Sequence, residues 1–233
     1  MKGRRLVLFD IDGTILLSAG AGRRAIVAAL HQEIGNGTDF DRVRFDGKTD
    51  PQIVAEMLEL AGRRGPHPAE QVRAIFRRYV DLLAVELQQP RSRTTVMPGI
   101  HRLLDRLEAE DGIVLGLLTG NLAEGATLKL RSAGLDPQRF RVAAYGSDAV
   151  HRPDLPPIAA GRAEQFFGKV PSGHEVVIIG DTPADIACGS CINARAVAVA
   201  TGGYSVPDLA ACGPHAVFED LSDTDRVVDA ILR

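Results

Sequence analysis

Three short polar clusters in the sequence carry side chains that suit phosphoryl transfer. They run from Asp10 to Thr14, from Thr119 to Asn121 and from Gly180 to Asp185. A carboxylate can attack phosphorus and split one difficult step into two easier ones. A second carboxyl group, two positions further on, can protonate the leaving oxygen and then take a proton from water. Asp10 is therefore the candidate nucleophile and Asp12 the candidate acid and base.

Such a reaction brings two anions together, so it calls for a cation between them. Magnesium prefers one or two carboxylates together with phosphate and water oxygens, and Asp10 and Asp181 can supply the carboxylates. A hydroxyl group and backbone N–H groups in a loop that enters a helix suit phosphate oxygens, and Thr119 to Asn121 offers both. The sequence thus predicts Mg²⁺ as cofactor and a phosphate ester as substrate.

The elements that must position these clusters alternate between strands and helices. Short apolar runs predict buried strands at Leu6–Phe9, Ile113–Leu118, Val142–Tyr145, Val176–Ile179 and Ala196–Ala200. Helical patterns between them predict an α/β fold with a Rossmann-like parallel sheet covered on both faces. Each polar cluster follows a predicted strand, where parallel sheets bind ligands. A single cluster could equally be a turn, but their shared placement favours one site.

One stretch breaks this alternation. Between about Leu17 and Arg93 the apolar residues follow helical spacing and predict three helices without a convincing strand. Asp50 followed by Pro51 is typical of a helix N-cap and a first-turn proline. An all-helical block between the first two strands predicts an inserted helical domain at residues 17–93, with residues 1–16 and 94–233 forming the core domain.

In this order, the three clusters resemble the motifs of the haloacid dehalogenase-like (HAD) hydrolase superfamily. The helical block resembles the type-C1 cap of its phosphoglycolate-phosphatase-like members. The resemblance implies that Asp10 is nucleophile and metal ligand, and that Asp12 adds its backbone carbonyl to the metal. It also implies that Thr119, with Gly120 and Asn121, binds the phosphoryl group. The further residues implied at the metal are Asp181, as a ligand, and Asp185, in its supporting shell.

Two basic residues complete the implied site. The third motif of the superfamily usually has a lysine before a proline, and Arg152 stands before Pro153 at the matching place. Arginine brings a planar fork where lysine brings a point charge. The alternatives are an exposed loop arginine, or Lys169 as a distant substitute. Residues 45–50 resemble the substrate-specificity loop of C1 caps, which implies Lys48 as a substrate ligand; a surface turn is the alternative.

Asp12 narrows the chemistry within the superfamily. The dehalogenase and phosphonatase branches lack an Asp two residues after the nucleophile, so the resemblance favours hydrolysis of a small phosphate monoester through an aspartyl phosphate. Phosphoglycolate-like compounds and sugar phosphates both fit as substrates. Two alternatives stay open: a phosphomutase of the β-phosphoglucomutase type, which shares these residues, and a non-catalytic binding module that keeps the fold.

The composition argues against other classes of partner. The 233 residues carry a formal net charge of −3, which gives no bulk case for nucleic acid or an anionic membrane. No segment approaches the roughly 20 apolar residues of a membrane span. Carboxylates interrupt the first apolar stretch, which is not typical of a signal peptide, and three cysteines fit reduced thiols. We expect a cytoplasmic protein, monomeric or homodimeric.

Overall fold

The structure, a computed structural model, describes residues 4–233 and centres on a parallel six-stranded sheet with a separate two-stranded pair. The strands are β1 (Arg5–Phe9), β2 (Leu16–Leu17), β3 (Thr95–Val96), β4 (Ile113–Thr119), β5 (Val142–Tyr145), β6 (Val176–Gly180), β7 (Arg195–Val199) and β8 (Ala216–Phe218). The sheet order is β5-β4-β1-β6-β7-β8. The strand order reverses at β1, so the carboxyl end of β1 lies at a topological switch point, where such sheets bind ligands.

Helices cover both faces of this sheet. The helices of the described chain are α1 (Ala21–Ile34), α2 (Asp50–Leu60), α3 (Ala69–Glu86), α4 (Ile100–Glu108), α5 (Ala123–Ser132), α6 (Leu155–Phe167), α7 (Pro183–Cys188), α8 (Val206–Ala210) and α9 (Thr224–Leu232), and those from α4 onward pack on the sheet. Along β1, Val7 and Phe9 pack with side chains of α4, α5 and α9, whereas Leu6 and Leu8 pack with α6 and α7. Alternate residues of a strand face opposite sides, so both faces are buried. The predicted α/β fold is confirmed.

The helices α1, α2 and α3 enclose a hydrophobic cluster of their own, in which Ile26, Met57 and Tyr79 are almost wholly buried. The chain leaves the sheet domain through β2 and returns through β3, and these two strands pair antiparallel. The helical segment is therefore attached at one place. Its assignment as a separate domain at residues 17–93 stays a prediction. Within residues 4–233, no helix combines the length and the apolar character that crossing a membrane requires.

Three strands and one helix cap differ from the sequence prediction. The strands β2, β3 and β8 have only two or three residues each. So short a run shows no periodicity that could be recognised. The prediction that Asp50 caps α2 is wrong, because Thr49 is the N-cap and its side chain accepts the N–H of Gln52 at 3.2 Å. Asp50 lies in the first turn, and its carboxylate has another partner.

Candidate active site

The carboxyl ends of β1, β4 and β6 open onto one crevice of about 240 Å³. All three predicted clusters contribute to its lining, as does the helical segment. The lining includes Asp10, Asp12, Thr119, Gly120, Asn121, Arg152 and Asp181 from the sheet domain, and Arg23, Lys48, Asp50 and Tyr79 from the helical segment. The structure therefore brings most of the predicted site residues together. Asp185 lies beneath the crevice, where it contacts Arg152.

The loop after β1 is a tight turn that brings Asp10 close to the loop after β6. Gly13 has a φ of +85°, which favours glycine, and a Cβ atom there would lie 2.3 Å from Oδ2 of Asp181. The next residue, Thr14, donates its hydroxyl proton to Oδ1 of Asp181 at 3.1 Å. Glycine at position 13 thus permits the loop after β1 to approach Asp181, and Thr14 fixes the carboxylate of Asp181.

Three buried carboxylates form a cluster at this place. Oxygens of Asp10, Asp181 and Asp185 lie within 4.8 Å of one another. The pKa of Asp10 is raised to about 6, chiefly by burial; Arg152 opposes this rise, and the neighbouring Asp185 and Asp12 add to it. Burial, followed by repulsion from Asp185 and Asp10, raises the pKa of Asp181 to about 8. Negative charges packed this closely suit the binding of a divalent cation.

Arg152 is the basic residue of this cluster. Its side chain is buried, and Nη2 lies 3.1 Å from Oδ1 of Asp10 and also contacts Asp185. Burial alone lowers the pKa of this guanidinium, but Asp185 and Asp10 raise it overall, so the group stays charged. The alternative of an exposed loop arginine is wrong. Lys169, the other alternative, is mostly exposed and pairs with Glu175 instead.

Asp185 uses both of its oxygens within the protein. Oδ2 accepts hydrogen bonds from the backbone N–H of Thr182 at 3.0 Å and from its hydroxyl at 2.6 Å. Oδ1 contacts Arg152. These bonds form a capping box at the start of α7 and fix the guanidinium beside Asp10. The geometry favours a supporting role for Asp185 over direct contact with a metal.

Asp12 is held on one side by two donors. Its Oδ2 accepts from Nδ2 of Asn121 at 2.8 Å and from Nζ of Lys129 at 2.6 Å. Lys129 lies on α5, and sequence reasoning did not select it. A signal was present: Leu122, Ala126 and Lys129 follow helical spacing and are all buried. A lysine on the buried face of a helix needs a polar partner, and here Asp12 and Asn121 provide it.

The predicted specificity loop, residues 45–50, lies against the loop after β4. The backbone N–H of Asp50 donates to the carbonyl of Gly120 at 2.7 Å, and its Oδ2 accepts the N–H of Leu122 at 2.8 Å. Burial raises the pKa of Asp50 to about 6, with Lys129 acting in the opposite direction. Lys48 lines the crevice, but its ammonium group contacts Glu56. The loop therefore lies over the site through contacts of Asp50 with the backbone after β4.

Arg23, on α1, is a second cation that sequence reasoning missed. Its guanidinium donates to the carbonyls of Val43 and Phe40 at 2.9 and 2.8 Å and lies over the ring of Phe45 at 4.6 Å. It thus holds the start of the specificity loop while facing the crevice. The residues around it in the sequence do not indicate these contacts, so only the fold reveals its position.

Comparison with known proteins assigns the family. The chain belongs to the haloacid dehalogenase-like hydrolase family, whose model matches residues 4–193. It is 27% identical over 232 residues to a phosphoglycolate phosphatase of Cereibacter sphaeroides, with 97% of each chain covered. The predicted family is confirmed, and with it the prediction that the chain is an enzyme, a hydrolase of this family.

Solved structures share the fold. A hydrolase from Pseudomonas syringae superposes with a TM-score of 0.72 at 22% identity, covering 99% of this chain and 100% of that chain. A β-phosphoglucomutase from Clostridium difficile superposes with a TM-score of 0.73 at 18% identity, covering 98% and 97%. At these identities the likeness concerns the fold alone, and it agrees with the predicted HAD architecture.

Proposed function

We propose that this protein is a Mg²⁺-dependent phosphatase that hydrolyses a small phosphate monoester through an aspartyl phosphate on Asp10. The observation that carries the proposal is the meeting of Asp10, Asp12 and Asp181 at one crevice, with Arg152 beside Asp10. These are a nucleophile, an acid and base, a metal ligand and a fixed positive charge. The phosphoglycolate phosphatase relatives support a phosphate ester as the substrate.

The acidic cluster fits a divalent cation. Its carboxylate oxygens are close together and buried, and burial, with repulsion between the carboxylates, raises the pKa of Asp10 and of Asp181. Asp10, Asp181 and the backbone carbonyl of Asp12 would hold Mg²⁺, with Asp185 in support. When bound, the cation neutralises charge between the phosphate and the nucleophile, so that the two anions can approach each other.

The chain's own residues divide the chemistry between them. A carboxylate oxygen of Asp10 forms a bond to phosphorus while the bond to the ester oxygen breaks, and Asp12 gives that oxygen a proton. Asp12 then takes a proton from water, the water oxygen bonds to phosphorus, and phosphate leaves Asp10. Both steps need Asp12 on the same side of the crevice as Asp10, which the tight turn after β1 provides.

The loop after β4 can hold the phosphoryl oxygens. Oγ1 of Thr119 accepts hydrogen bonds from the backbone N–H and the side-chain amide of Asn121, at 3.3 and 2.8 Å. Its own hydroxyl proton is therefore available to a phosphoryl oxygen. Nε of Arg152 is buried and has no hydrogen-bond partner among the described residues, so it offers a further donor.

The covering loop sets the size of the substrate. A crevice of about 240 Å³ beneath residues 45–50 suits a small ester such as a phosphoglycolate-like compound or a sugar phosphate. Lys48 and Arg23 are the cations of the helical segment that face it. Movement of this segment would admit the substrate and then exclude bulk water. A cytoplasmic location and a monomer or homodimer stay predictions.

Phosphate release from p-nitrophenyl phosphate, measured with and without Mg²⁺, tests the proposal. We expect hydrolysis that depends on Mg²⁺ and is lost in Asp10→Asn, because an amide is a poor nucleophile. Turnover that survives this substitution in carefully purified protein would rule out the mechanism. A metabolite panel with Mg²⁺ present would then identify the ester.

A phosphomutase is the second candidate. The backbone contact between Asp50 and Gly120 closes the loop onto the sheet domain, and a mutase needs such closure to protect its aspartyl phosphate from water. Isomerisation of a sugar phosphate that requires a bisphosphate primer would favour the mutase. Phosphate release without isomerisation would favour the phosphatase, and neither activity across the panel would favour a binding module.

A further inference from the structure

We propose that Lys129 is a positioning residue that aims the carboxyl group of Asp12 at the leaving oxygen. It does so by engaging one carboxyl oxygen and leaving the other free. This inference rests on the proposed phosphatase function, in which Asp12 exchanges protons with the ester oxygen and with water. It adds a residue from α5 to the reaction and states what that residue does.

Lys129, Asn121 and Asp12 form a closed triangle of hydrogen bonds. Nζ of Lys129 donates to Oδ2 of Asp12 at 2.6 Å and to Oδ1 of Asn121 at 2.7 Å, and Nδ2 of Asn121 donates to the same Oδ2 at 2.8 Å. The chemistry of the groups fixes the orientation of the amide. An ammonium group only donates and a carboxylate only accepts, so the amide oxygen must face Lys129 and the amide nitrogen must face Asp12.

The triangle separates the two oxygens of Asp12. Among residues 4–233, the side-chain hydrogen bonds of Asp12 go to Oδ2. The Asp12 side chain is 42% exposed, whereas that of Lys129 is 5% exposed. An oxygen that already accepts two hydrogen bonds is a poor place for a proton. Oδ1 is therefore the oxygen left to exchange a proton with the ester.

Lys129 is held in this position by the helical segment as well as by α5. A Cβ atom on Gly22 of α1 would lie 3.3 Å from Nζ of Lys129 and 3.8 Å from the hydroxyl of Tyr79. The buried Asp50 also interacts electrostatically with Lys129. Because Gly22 has no side chain, α1 leaves room for the ammonium group of Lys129. The close approach of α1 and Tyr79 leaves this group little room to turn away from Asp12.

The orientation that Lys129 gives Asp12 matters in the first chemical step. As the bond between phosphorus and the ester oxygen breaks, the electron pair goes to that oxygen, which takes the proton from Oδ1 of Asp12. The proton passes only if Oδ1 faces the ester oxygen, and Lys129 holds Asp12 in that orientation by binding Oδ2. An ester oxygen that is stable as an anion needs no proton, so Lys129 should matter most for poor leaving groups.

A series of aryl phosphates with phenols of increasing basicity tests this inference. Release of the phenol in the first turnover would be followed by stopped flow in wild type and in Lys129→Met, with Mg²⁺ present. We expect a loss of about tenfold or more for phenyl phosphate and less than about threefold for 2,4-dinitrophenyl phosphate. Incomplete folding would reduce the amount of phenol released from every ester by one factor, so the comparison of rate constants within one preparation is protected from it.

Three variants complete the experiment. Lys169→Met makes the same substitution at a surface lysine that pairs with Glu175, and should leave every rate unchanged. Lys129→Gln is neutral but polar, and replaces Lys129→Met if that variant does not fold. In an Asp12→Asn background, Lys129→Met should not steepen the dependence on leaving group further, because the two residues act as a unit.

The outcomes separate this inference from the proposed function. A wild type that releases no phenol from any ester would overturn the proposed function. An active wild type whose Lys129→Met variant loses the same factor on every ester, or loses nothing, would overturn the role of Lys129. The role of Lys129 would also be overturned if the loss of rate caused by Lys129→Met added fully to the loss caused by Asp12→Asn.

Discussion

Nη2 of Arg152 lies 3.1 Å from Oδ1 of Asp10, with both side chains buried. The guanidinium also contacts Asp185, so one positive charge compensates part of the acidic cluster. This pairing implies that Arg152 supports both folding and chemistry. The two roles can be separated by substitution.

We expect Arg152→Met to lower the free energy of unfolding by about 3 kcal/mol, because two buried carboxylates lose their partner. We also expect kcat/KM for an aryl phosphate to fall by about 100-fold or more, since the charge beside the nucleophile is lost. Arg152→Lys keeps a positive charge without the planar fork, so its stability and its kcat/KM should lie between those of wild type and Arg152→Met. Chemical denaturation and steady-state kinetics give both quantities, with Arg162→Met at the surface as control. Full activity in Arg152→Met would contradict the assignment.

Gly120→Ala should impair closure of the specificity loop. A Cβ atom at position 120 would lie 2.0 Å from the carbonyl oxygen of Lys48, which belongs to the helical segment. The clash exists only when the loop lies on the sheet domain, so the melting temperature should change little. We expect kcat/KM to fall by about tenfold or more because the site no longer closes. Gly161→Ala is the control, since a Cβ atom on this helical glycine would meet nothing within 4 Å.

Asp181 should make stability depend on both pH and metal. Burial first, and then Asp185 and Asp10, raise its pKa from 3.8 to about 8. The folded, metal-free protein thus holds this proton more tightly than the unfolded chain does, and its stability falls as pH rises from about 4 to 8. At pH 8 in EDTA, we expect the free energy of unfolding of Asp181→Asn to exceed that of wild type by roughly 1–3 kcal/mol. The difference should vanish near pH 4, and Mg²⁺ should stabilise wild type only.

Glu86 should stabilise the helical segment at neutral pH and lose this effect as the pH falls. Hydrogen bonds from Arg91 and, to a lesser degree, from Arg24 and Ser92 lower its pKa to about 2 against an opposing effect of burial. Its contribution is present above pH 4.5 and is lost as pH falls through 2. We expect Glu86→Gln to lower the free energy of unfolding at pH 7 by about 1–2 kcal/mol, because solvent screens the exposed Arg91. The effect should disappear at pH 2, and Glu70→Gln at the surface of α3 is the control.

The three cysteines should differ in reactivity towards a thiol reagent. Cys191 and Cys212 are exposed, whereas Cys188 is buried. Burial raises the pKa of Cys188 to about 12 despite the nearby Arg152, so little thiolate forms there. We expect rapid modification of two thiols in the native protein and of the third only after unfolding. Fast modification of three thiols, each located by mass spectrometry, would contradict the burial of Cys188.

The site residues that physical reasoning identified from the sequence share one property: each lies at the carboxyl end of a predicted strand. Asp10, Thr119 and Asp181 end or follow β1, β4 and β6, whose apolar runs are easy to recognise, and parallel strands bring these ends together. Arg152 came from a resemblance and not from physical reasoning. The structure adds its burial and its contact with Asp10.

The residues that sequence reasoning missed depend on packing between elements. Lys129 reaches Asp12 because α5 packs beside the loop after β1, and a separation of 117 residues along the chain hides that contact. Asp50 looks like a cap in the sequence, but Thr49 takes that place and Asp50 bonds to Leu122 of the sheet domain. Local patterns predict helices and strands well. They contain little information about which elements meet.

The antiparallel pairing of β2 and β3 also bears on how such a protein could diversify. Leu17 and Thr95 lie opposite each other in this pair, so the points where the helical segment begins and ends lie one strand spacing apart. A foreign helical segment with adjacent ends could replace the native one without moving the sheet. Recombination at these two points would exchange the helical part of the crevice lining as one unit, while the carboxylates after β1 and β6 stayed in place.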